Sequence, residues 1–417
     1  MQYIIRGSKK LKGEISVSGN KNSILPCMAA ALLTDEDVIL ENTPEIIDVE
    51  TYIKIFKSLN VQVKKNGNKI SINASNLNKI ILPEDLVSKL RASILLVGPI
   101  LQRFGAVSFK FPGGDIIGKR SIEAHLDGFS KLGAKISQND LYFTIKKKQL
   151  KNDAKIFLSE ASVTATENLI LASVINNVIV LIRNVSSEPH VIDLCHLLIK
   201  MGAKIEGVGT DTLIIKGVKK LKGVKFRIGD DYLEIATYAI AAAITNGDVT
   251  IYCDPETDLQ PIEAVLEDFG VFLIKQKNGF RVKSDQIKAI DKIITNIWPG
   301  FPTDLMSVAI VLSTQAKGVT LCHDWMYESR MFFVDKLISM GAKIIIADPH
   351  RVLVYGPTQL RAREVETPDI RAGMALVLAA LIASGESIIN KAELIERGYE
   401  DVVGKLSRLG AEIKKIN

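Results

Sequence analysis

The sequence predicts an α/β protein built from six copies of one βαβαββ unit, grouped as two domains of three units each. Three observations carry this. A short pattern recurs at a spacing of roughly 70 residues, longer than the usual solenoid periods. It reads Leu59-Asn60-Val61-Gln62-Val63, Leu132-Gly133-Ala134-Lys135-Ile136, Met201-Gly202-Ala203-Lys204-Ile205, Phe269-Gly270-Val271-Phe272-Leu273, Met340-Gly341-Ala342-Lys343-Ile344 and Leu409-Gly410-Ala411-Glu412-Ile413. A second, β-branched pattern recurs out of phase with it, at 36–40, 105–109, 177–181, 247–251, 318–321 and 385–389. Between the two, Ala/Leu-rich apolar stretches alternate with amphipathic ones.

Each unit then reads in order. An apolar helix comes first, as at 24–33 or 373–383. A residue run that is hydrophobic all round belongs inside a domain. A turn and a β-branched strand follow. An amphipathic helix comes next, as at 191–201 or 333–340, with apolar residues at helical spacing. The glycine of the recurring pattern stops that helix at its C′ position. Two alternating strands close the unit, for example from Lys204 onward and then Thr212-Leu213-Ile214-Ile215 after the turn Gly209-Thr210-Asp211. Six units do not share one core at this length, so two domains are expected, with a ligand site in the cleft between them.

Composition narrows the function. The chain has 417 residues, 47% hydrophobic and 24% charged, as in ordinary soluble globular proteins. No apolar run is long enough to span a bilayer, and the start MQYIIRGSKK lacks a signal-peptide core. A cytoplasmic protein with no membrane partner is expected. Cys27, Cys195, Cys253 and Cys322 are scattered, which fits reduced thiols rather than a disulfide framework or zinc site. The five His residues have no metal-binding spacing, so no metal is expected. Lys and Arg number 53 against 47 acids, a net charge of +6 spread along the chain. That is either a solvated surface or a basic cleft for small anions; a continuous basic stripe for nucleic acid is missing.

Several segments have the residue types of an anion-handling site. The loop Phe111-Pro112-Gly113-Gly114-Asp115-Ile116-Ile117-Gly118-Lys119-Arg120 sets one acid between a glycine pair and two cations. It is a surface turn or a proton-transfer loop. Ser18-Gly19-Asn20-Lys21-Asn22-Ser23 lies between a strand at 14–17 and a helix start. It is a capping turn or a phosphate site. Arg91 opens an apolar helix at 91–99, as a surface cation or a bidentate clamp. Ser162-Val163-Thr164 precedes a helix at 169–174; its hydroxyls cap the helix or hold a diphosphate. Pro299-Gly300-Phe301-Pro302-Thr303-Asp304 stiffens the backbone before one Asp, an N-cap or a general base. Arg330, Arg371 and Arg397 each lie close in sequence to an acid, as structural pairs or as anion-gripping arginines.

Together, and in this order along the whole chain, these segments resemble the enolpyruvyl transferases. The resemblance implies two domains, each an inside-out α/β barrel of three units. It assigns residues 21–227, with the PGGD loop, to the first domain, and 1–20 with 228–417 to the second. It implies transfer of the enolpyruvyl group of phosphoenolpyruvate to the 3-hydroxyl of UDP-N-acetylglucosamine, releasing phosphate, at the start of peptidoglycan synthesis. It implies no cofactor. By the same resemblance Asp115, Lys21 and Asp304 are catalytic. Lys21, Asn22, Arg120, Arg330, Arg371 and Arg397 face phosphoenolpyruvate, with Arg91 close by. Asn22, Arg91, Arg120, Ser121, Ile122, Glu123, Ala124, His125, Ser162, Val163, Thr164, Asp304 and Met326 belong to the nucleotide-sugar side.

Two other readings stay open. A member of the family acting on 3-phosphoshikimate is expected to carry a Ser-Lys-Ser type first loop, where this chain has Asn20-Lys21-Asn22. A non-catalytic nucleotide-sugar-binding regulator is expected to have lost Lys21, Arg120, Asp304 or Arg397, and all four are present. The chain departs from the family pattern at Asp115, where Cys is usual, at Ser121 for Pro, at Thr164 for Gly and at Phe333 for a common His. The runs Asp231-Tyr232-Leu233-Glu234 and Asn296-Ile297-Trp298 depart as well. Asp115 in place of Cys implies resistance to fosfomycin, which alkylates that thiol.

Overall fold

The computed structural model describes residues 1–114, 117–118, 120–139, 141–148 and 153–417. Its six sheets repeat one plan. In the plainest copy, strand Asp153–Phe157 runs parallel to Ile179–Arg183. That strand pairs antiparallel with Thr212–Lys216, which pairs antiparallel with Lys204–Glu206. Four further sheets have the same order, parallel edge first. The sixth, of Ala106–Phe109, Phe143–Lys147 and Ala134–Gln138, has only a single parallel bridge, Ile81 to Ser108, at that edge.

Chain order and sheet order part company at two places. Strand Lys12–Ser16 leads into helix Lys21–Ala31, yet it pairs with Asp248–Tyr252. Strand Lys225–Arg227 leads into helix Tyr232–Ile244, yet it pairs with Val38–Glu41. The two copies have exchanged their first strands. The N-terminal strand Gln2–Arg6 also lies between Glu386–Asn390 and Glu412–Ile416, completing the last sheet. Contacts accordingly divide the chain into two compact units. One contains 1–18 and 230–417 together with residues 117, 118 and 120; the other contains 19–114 and 121–229. Backbone pairing closes each unit where the chain leaves it. Asn20 N–H donates to Gly229 O at 2.8 Å within one, and Asp231 N–H donates to Ser18 O at 2.9 Å within the other. Each crossing strand lies at a sheet edge and pairs along one side, Lys12–Ser16 with Asp248–Tyr252 and Lys225–Arg227 with Val38–Glu41.

Within each unit the apolar helices are inside and the sheets outside. In the 230–417 unit, helices Tyr232–Ile244, Met306–Gln315 and Ile370–Ile382 pack on one another, and every residue of the first is buried. In the 19–229 unit, Val163–Ser173 packs on Lys21–Ala31 and Val97–Phe104. The surrounding strands alternate buried and exposed residues, as in Gln2–Arg6 and Thr212–Lys216, so only one face of each meets the core. The recurring helix stop has a single backbone conformation. Asn60, Gly133, Gly202, Gly270, Gly341 and Gly410 all have positive φ, from 65° to 108°. Asn is the residue other than Gly that most readily takes this place.

Several boundaries differ from expectation. The helices placed at 24–33, 191–201, 333–340 and 373–383 run Lys21–Ala31, Pro189–Lys200, Val334–Ser339 and Ile370–Ile382. The one at 169–174 begins earlier, as Val163–Ser173, and the strand at 14–17 is Lys12–Ser16. The early starts follow from caps. Asn20, Ser162 and Asp369 each accept from backbone N–H groups of the first turn and so pull the helix toward themselves. Segment 91–99 is not one helix: a 3₁₀ turn, Arg91–Leu96, precedes helix Val97–Phe104. No described helix is long and apolar enough to cross a membrane. All four cysteines are free, and Cys27, Cys195 and Cys322 are buried.

Two acids of the 19–229 unit, buried Glu167 and half-buried Glu188, make its stability depend on pH. Glu188 is pushed up to about 7, by burial, against hydrogen bonds from its own and neighbouring residues. Burial first, and nearby Glu188 second, push Glu167 well above the carboxylate range. One carboxyl oxygen of each has no hydrogen-bond partner among the described residues. The folded state therefore holds a proton on Glu188 that the unfolded chain gives up above about 4.5. Its contribution to stability is complete below that pH and is lost as pH rises through 7. Replacing Glu188 by Gln should stabilise the protein at pH 8 relative to pH 5 by about 1–3 kcal/mol compared with wild type. Thermal unfolding of both proteins at the two pH values measures this; a pH-independent difference would contradict it.

Candidate active site

In the 230–417 unit a single carboxylate gathers two buried cations. Asp304 lies in the 3₁₀ turn Thr303–Leu305 that opens helix Met306–Gln315. Its Oδ1 accepts from Arg330 Nη2 at 3.1 Å. Its Oδ2 accepts from Arg371 Nε at 3.2 Å and Nη2 at 3.1 Å. The arginine side chains are 3% and 5% exposed and that of Asp304 is 28% exposed. Burial, the largest influence, pulls both guanidiniums down, but Asp304 and the other acidic groups around them together outweigh it and leave both raised, so both stay charged. Nε of Arg330 and Nη1 of Arg371 are buried without a hydrogen-bond partner among the described residues. Paired cations with unused donors are what an anionic substrate needs, because the charge is already in place and need not reorganise.

Local sequence explains how each member is held. Arg371 is the second residue of helix Ile370–Ile382, whose start is fixed by Asp369. Asp369 Oδ1 accepts from Arg371 N–H at 2.8 Å and Ala372 N–H at 3.0 Å. Arg330 rests 5.3 Å from the centroid of the Tyr327 ring, and Arg120 lies 6.0 Å from the same ring. The Asp304 turn is fastened by Asp324, which is fully buried. The hydroxyl of Thr303 donates to Asp324, as does that of Thr295 at 3.2 Å, and Met326 N–H donates at 3.0 Å. Met326, expected beside the nucleotide sugar, is thus tied through Asp324 to the residue preceding Asp304. Arg397 ends the 3₁₀ turn Ala392–Arg397, which packs on helix Ile370–Ile382.

The 19–229 unit carries the other predicted residues. Lys21 and Asn22 are the first two residues of helix Lys21–Ala31, and Asn20 caps it by accepting from Asn22 and Ser23 N–H at 2.7 and 3.1 Å. The Lys21 ammonium is 3.1 Å from Asp48, in the first turn of helix Ile47–Ser58. A cation and a helix N-terminus coincide there, and both favour an anion. Arg91 donates from Nη2 to Ser121 O at 2.6 Å and lies over the Phe111 ring. Ser121 in turn accepts from Glu123 N–H at 3.0 Å, at the start of helix Glu123–Lys131. Ile122 and Ala124 are buried. Ser162 caps helix Val163–Ser173, whose second residue is Thr164.

One amide fastens these segments together. Asn168 Oδ1 accepts from Gly98 N–H at 2.7 Å. Its Nδ2 donates to Ile94 O at 2.8 Å and to His125 Nδ1 at 3.1 Å. His125 therefore carries its proton on Nε2 and donates it to Thr164 Oγ1 at 3.0 Å. Any side chain at Gly98 would meet Asn168 O, 2.6 Å from an added Cβ. The Arg91 turn, the Ser121–Ala124 segment and the Ser162–Thr164 segment are thus locked by one network. The structure brings Arg330, Arg371 and Asp304 together in one unit, and Arg91, Ser121, His125 and Thr164 in the other. Asp115, the expected proton donor, lies outside the described residues. Sequence reasoning passed over Asp48 and Asp324, and gave Asn168 and Tyr399 no role although they lie in segments it singled out. Nothing local says which charge or carbonyl each of them meets.

Burial, helped by Arg91, lowers His125 to about 3. A neutral His125 should hold its place across the working pH range. Its imidazole proton resonance is expected to keep the neutral position from pH 8 to 5; titration near 6.5 would contradict this.

Comparison with known proteins agrees with this architecture. Residues 5–406 match the family model described as EPSP synthase (3-phosphoshikimate 1-carboxyvinyltransferase). The chain is 47% identical to a UDP-N-acetylglucosamine 1-carboxyvinyltransferase of Borrelia garinii subsp. bavariensis, over 99% of each chain. It is 43% identical to the protein of that name from Bradyrhizobium diazoefficiens, over 100% of this chain and 98% of the other. Among solved structures, the enolpyruvyl transferase NikO from Streptomyces tendae superposes with a TM-score of 0.89 at 23% identity, over 99% of this chain and 98% of the other. EPSP synthase from Acinetobacter baumannii superposes with a TM-score of 0.73 at 17% identity, over 99% and 100%. These two establish the fold alone, whereas the full-length match to the family model and the full-length relatives establish descent: the chain belongs to the enolpyruvyl transferase family.

Proposed function

We propose that this protein transfers the enolpyruvyl group of phosphoenolpyruvate to the 3-hydroxyl of UDP-N-acetylglucosamine, the reaction that commits the sugar to peptidoglycan synthesis, in the cytoplasm. The observation that carries the reading is Asp304 held between the buried guanidiniums of Arg330 and Arg371. The full-length relatives favour the amino-sugar acceptor over 3-phosphoshikimate, since they share the name UDP-N-acetylglucosamine 1-carboxyvinyltransferase. The 3-hydroxyl oxygen attacks C2 of phosphoenolpyruvate while C3 takes up a proton. The tetrahedral adduct then expels phosphate and gives back a C3 proton. Asp304 accepts the hydroxyl hydrogen and orients the attack. Arg330, Arg371, Arg120 and Arg397 hold the carboxylate and phosphate of phosphoenolpyruvate, with Lys21 at a helix start. Asn22, Arg91, Met326, the 121–124 segment and the 162–164 turn serve the nucleotide sugar. Asp115 supplies the proton to C3.

Phosphate release from phosphoenolpyruvate should require UDP-N-acetylglucosamine. Equal release with 3-phosphoshikimate, or none with either acceptor, would overturn the reading. A carboxylate at 115 is a poor trap for an epoxide, so fosfomycin should leave turnover unchanged and the protein unlabelled. Asp115→Cys should become sensitive while remaining active, and Asp115→Ala should lose about a hundredfold or more in turnover. Time-dependent labelling of the wild-type protein at Asp115, read by mass spectrometry, would contradict this.

A further inference from the structure

Arg371 is gripped on one edge by Asp304, and its opposite surroundings are aromatic. The Tyr399 ring centroid lies 5.2 Å from the guanidinium carbon. That ring is fully inside the unit, 2% exposed. Its hydroxyl is 3.0 Å from Thr237 Oγ1, and Thr237 donates its own proton to Leu233 O at 2.7 Å. Thr237 has therefore spent its only proton, and Tyr399 must be the donor in the bond between them. A continuous line of contacts runs from the backbone of helix Tyr232–Ile244 through Thr237, Tyr399 and Arg371 to Asp304. Arg371 also interacts with the Tyr399 hydroxyl, so both the ring and the oxygen of Tyr399 bear on the guanidinium. The partner arginine is supported differently: Tyr327, under Arg330, is shared with Arg120.

We infer that Tyr399 is a positioning residue for phosphoenolpyruvate binding, holding the plane of Arg371 with its ring while Thr237 anchors its hydroxyl. An arginine has several rotatable bonds, and a guanidinium held by one edge alone still swings about that edge. The ring removes this freedom before substrate arrives, so binding does not have to supply the ordering. Loss of the anchor should appear mainly in substrate affinity, because the carboxylate of phosphoenolpyruvate is held in the ground state and transition state alike.

The inference rests on Arg371 being a phosphoenolpyruvate contact, and one set of steady-state measurements separates the two. KM for each substrate, kcat and the unfolding temperature are determined for Arg371→Lys, Tyr399→Leu, Tyr399→Phe, Thr237→Val and Thr237→Ser. Arg371→Lys should raise KM for phosphoenolpyruvate strongly. Tyr399→Leu should raise it about tenfold, and Tyr399→Phe and Thr237→Val about two- to fourfold, with KM for UDP-N-acetylglucosamine little changed. Thr237→Ser, which keeps the hydroxyl, should restore the wild-type value. If Tyr399→Leu does not fold, the two near-isosteric variants carry the test. An Arg371→Lys effect with flat values for Tyr399→Phe and Thr237→Val would overturn the inference alone. An unchanged KM in Arg371→Lys would overturn the assignment of Arg371 and the inference with it.

Discussion

The arrangement of the 230–417 unit turns on the charge of Asp304. Two guanidiniums almost entirely removed from water are tolerable only beside a counter-charge, and each unpaired one would cost several kcal/mol. Asp304 meets both at once, and three bonds to its two oxygens fix their directions. Holding the carboxylate then becomes a structural problem of its own. Thr303, next to Asp304, is bonded to buried Asp324, which also takes Thr295 and the backbone of Met326. Polar contacts of Thr303, Asp324 and Thr295 thus stand one behind another in support of the Asp304 carboxylate.

The 19–229 unit solves a related problem without charge. Asn168 satisfies its amide oxygen and both amide hydrogens against three partners, Gly98, Ile94 and His125. Its hydrogen bonds offset the cost of burying the amide, and the amide dictates the tautomer of His125. Thr164, a departure from the family's usual glycine, is absorbed into the same network through His125 rather than left as a loose side chain. Ser121, another departure, accepts from Glu123 N–H through its hydroxyl while its carbonyl accepts from Arg91. Both substitutions have thus found local partners inside the unit.

Ion pairing also explains the crossing between units of sequence. Lys405 and Glu234, both buried, form a pair, and each also meets Ser18: the ammonium donates to its hydroxyl at 2.8 Å and Glu234 accepts from its N–H at 2.7 Å. Glu234 lies in the Asp231-Tyr232-Leu233-Glu234 run that departs from the family pattern. Asp231 itself caps helix Tyr232–Ile244, accepting from Leu233 and Glu234 N–H. Glu234 thus fastens the chain where it leaves strand Lys12–Ser16, while the Asp231 carboxylate fixes the start of the helix.

Much of this was legible in the sequence, and for a local reason. A helix stop needs a left-handed residue wherever it occurs, so five glycines and Asn60 announce the six repeats before any contact is known. Helices apolar on every side must be interior, and strands that alternate must have one wet face. Caps were visible as residue types, although their pull on helix starts moved the boundaries. What the sequence did not contain was partnership. Strand Lys12–Ser16 precedes one helix and completes another unit's sheet, because a parallel edge strand is chosen by which backbone lies open beside it. Arg371 meets Asp304 across 67 residues, and Tyr399 meets Thr237 across 162. Propensity and spacing act within a few residues; such meetings are decided only when the closed core brings distant side chains within bonding distance.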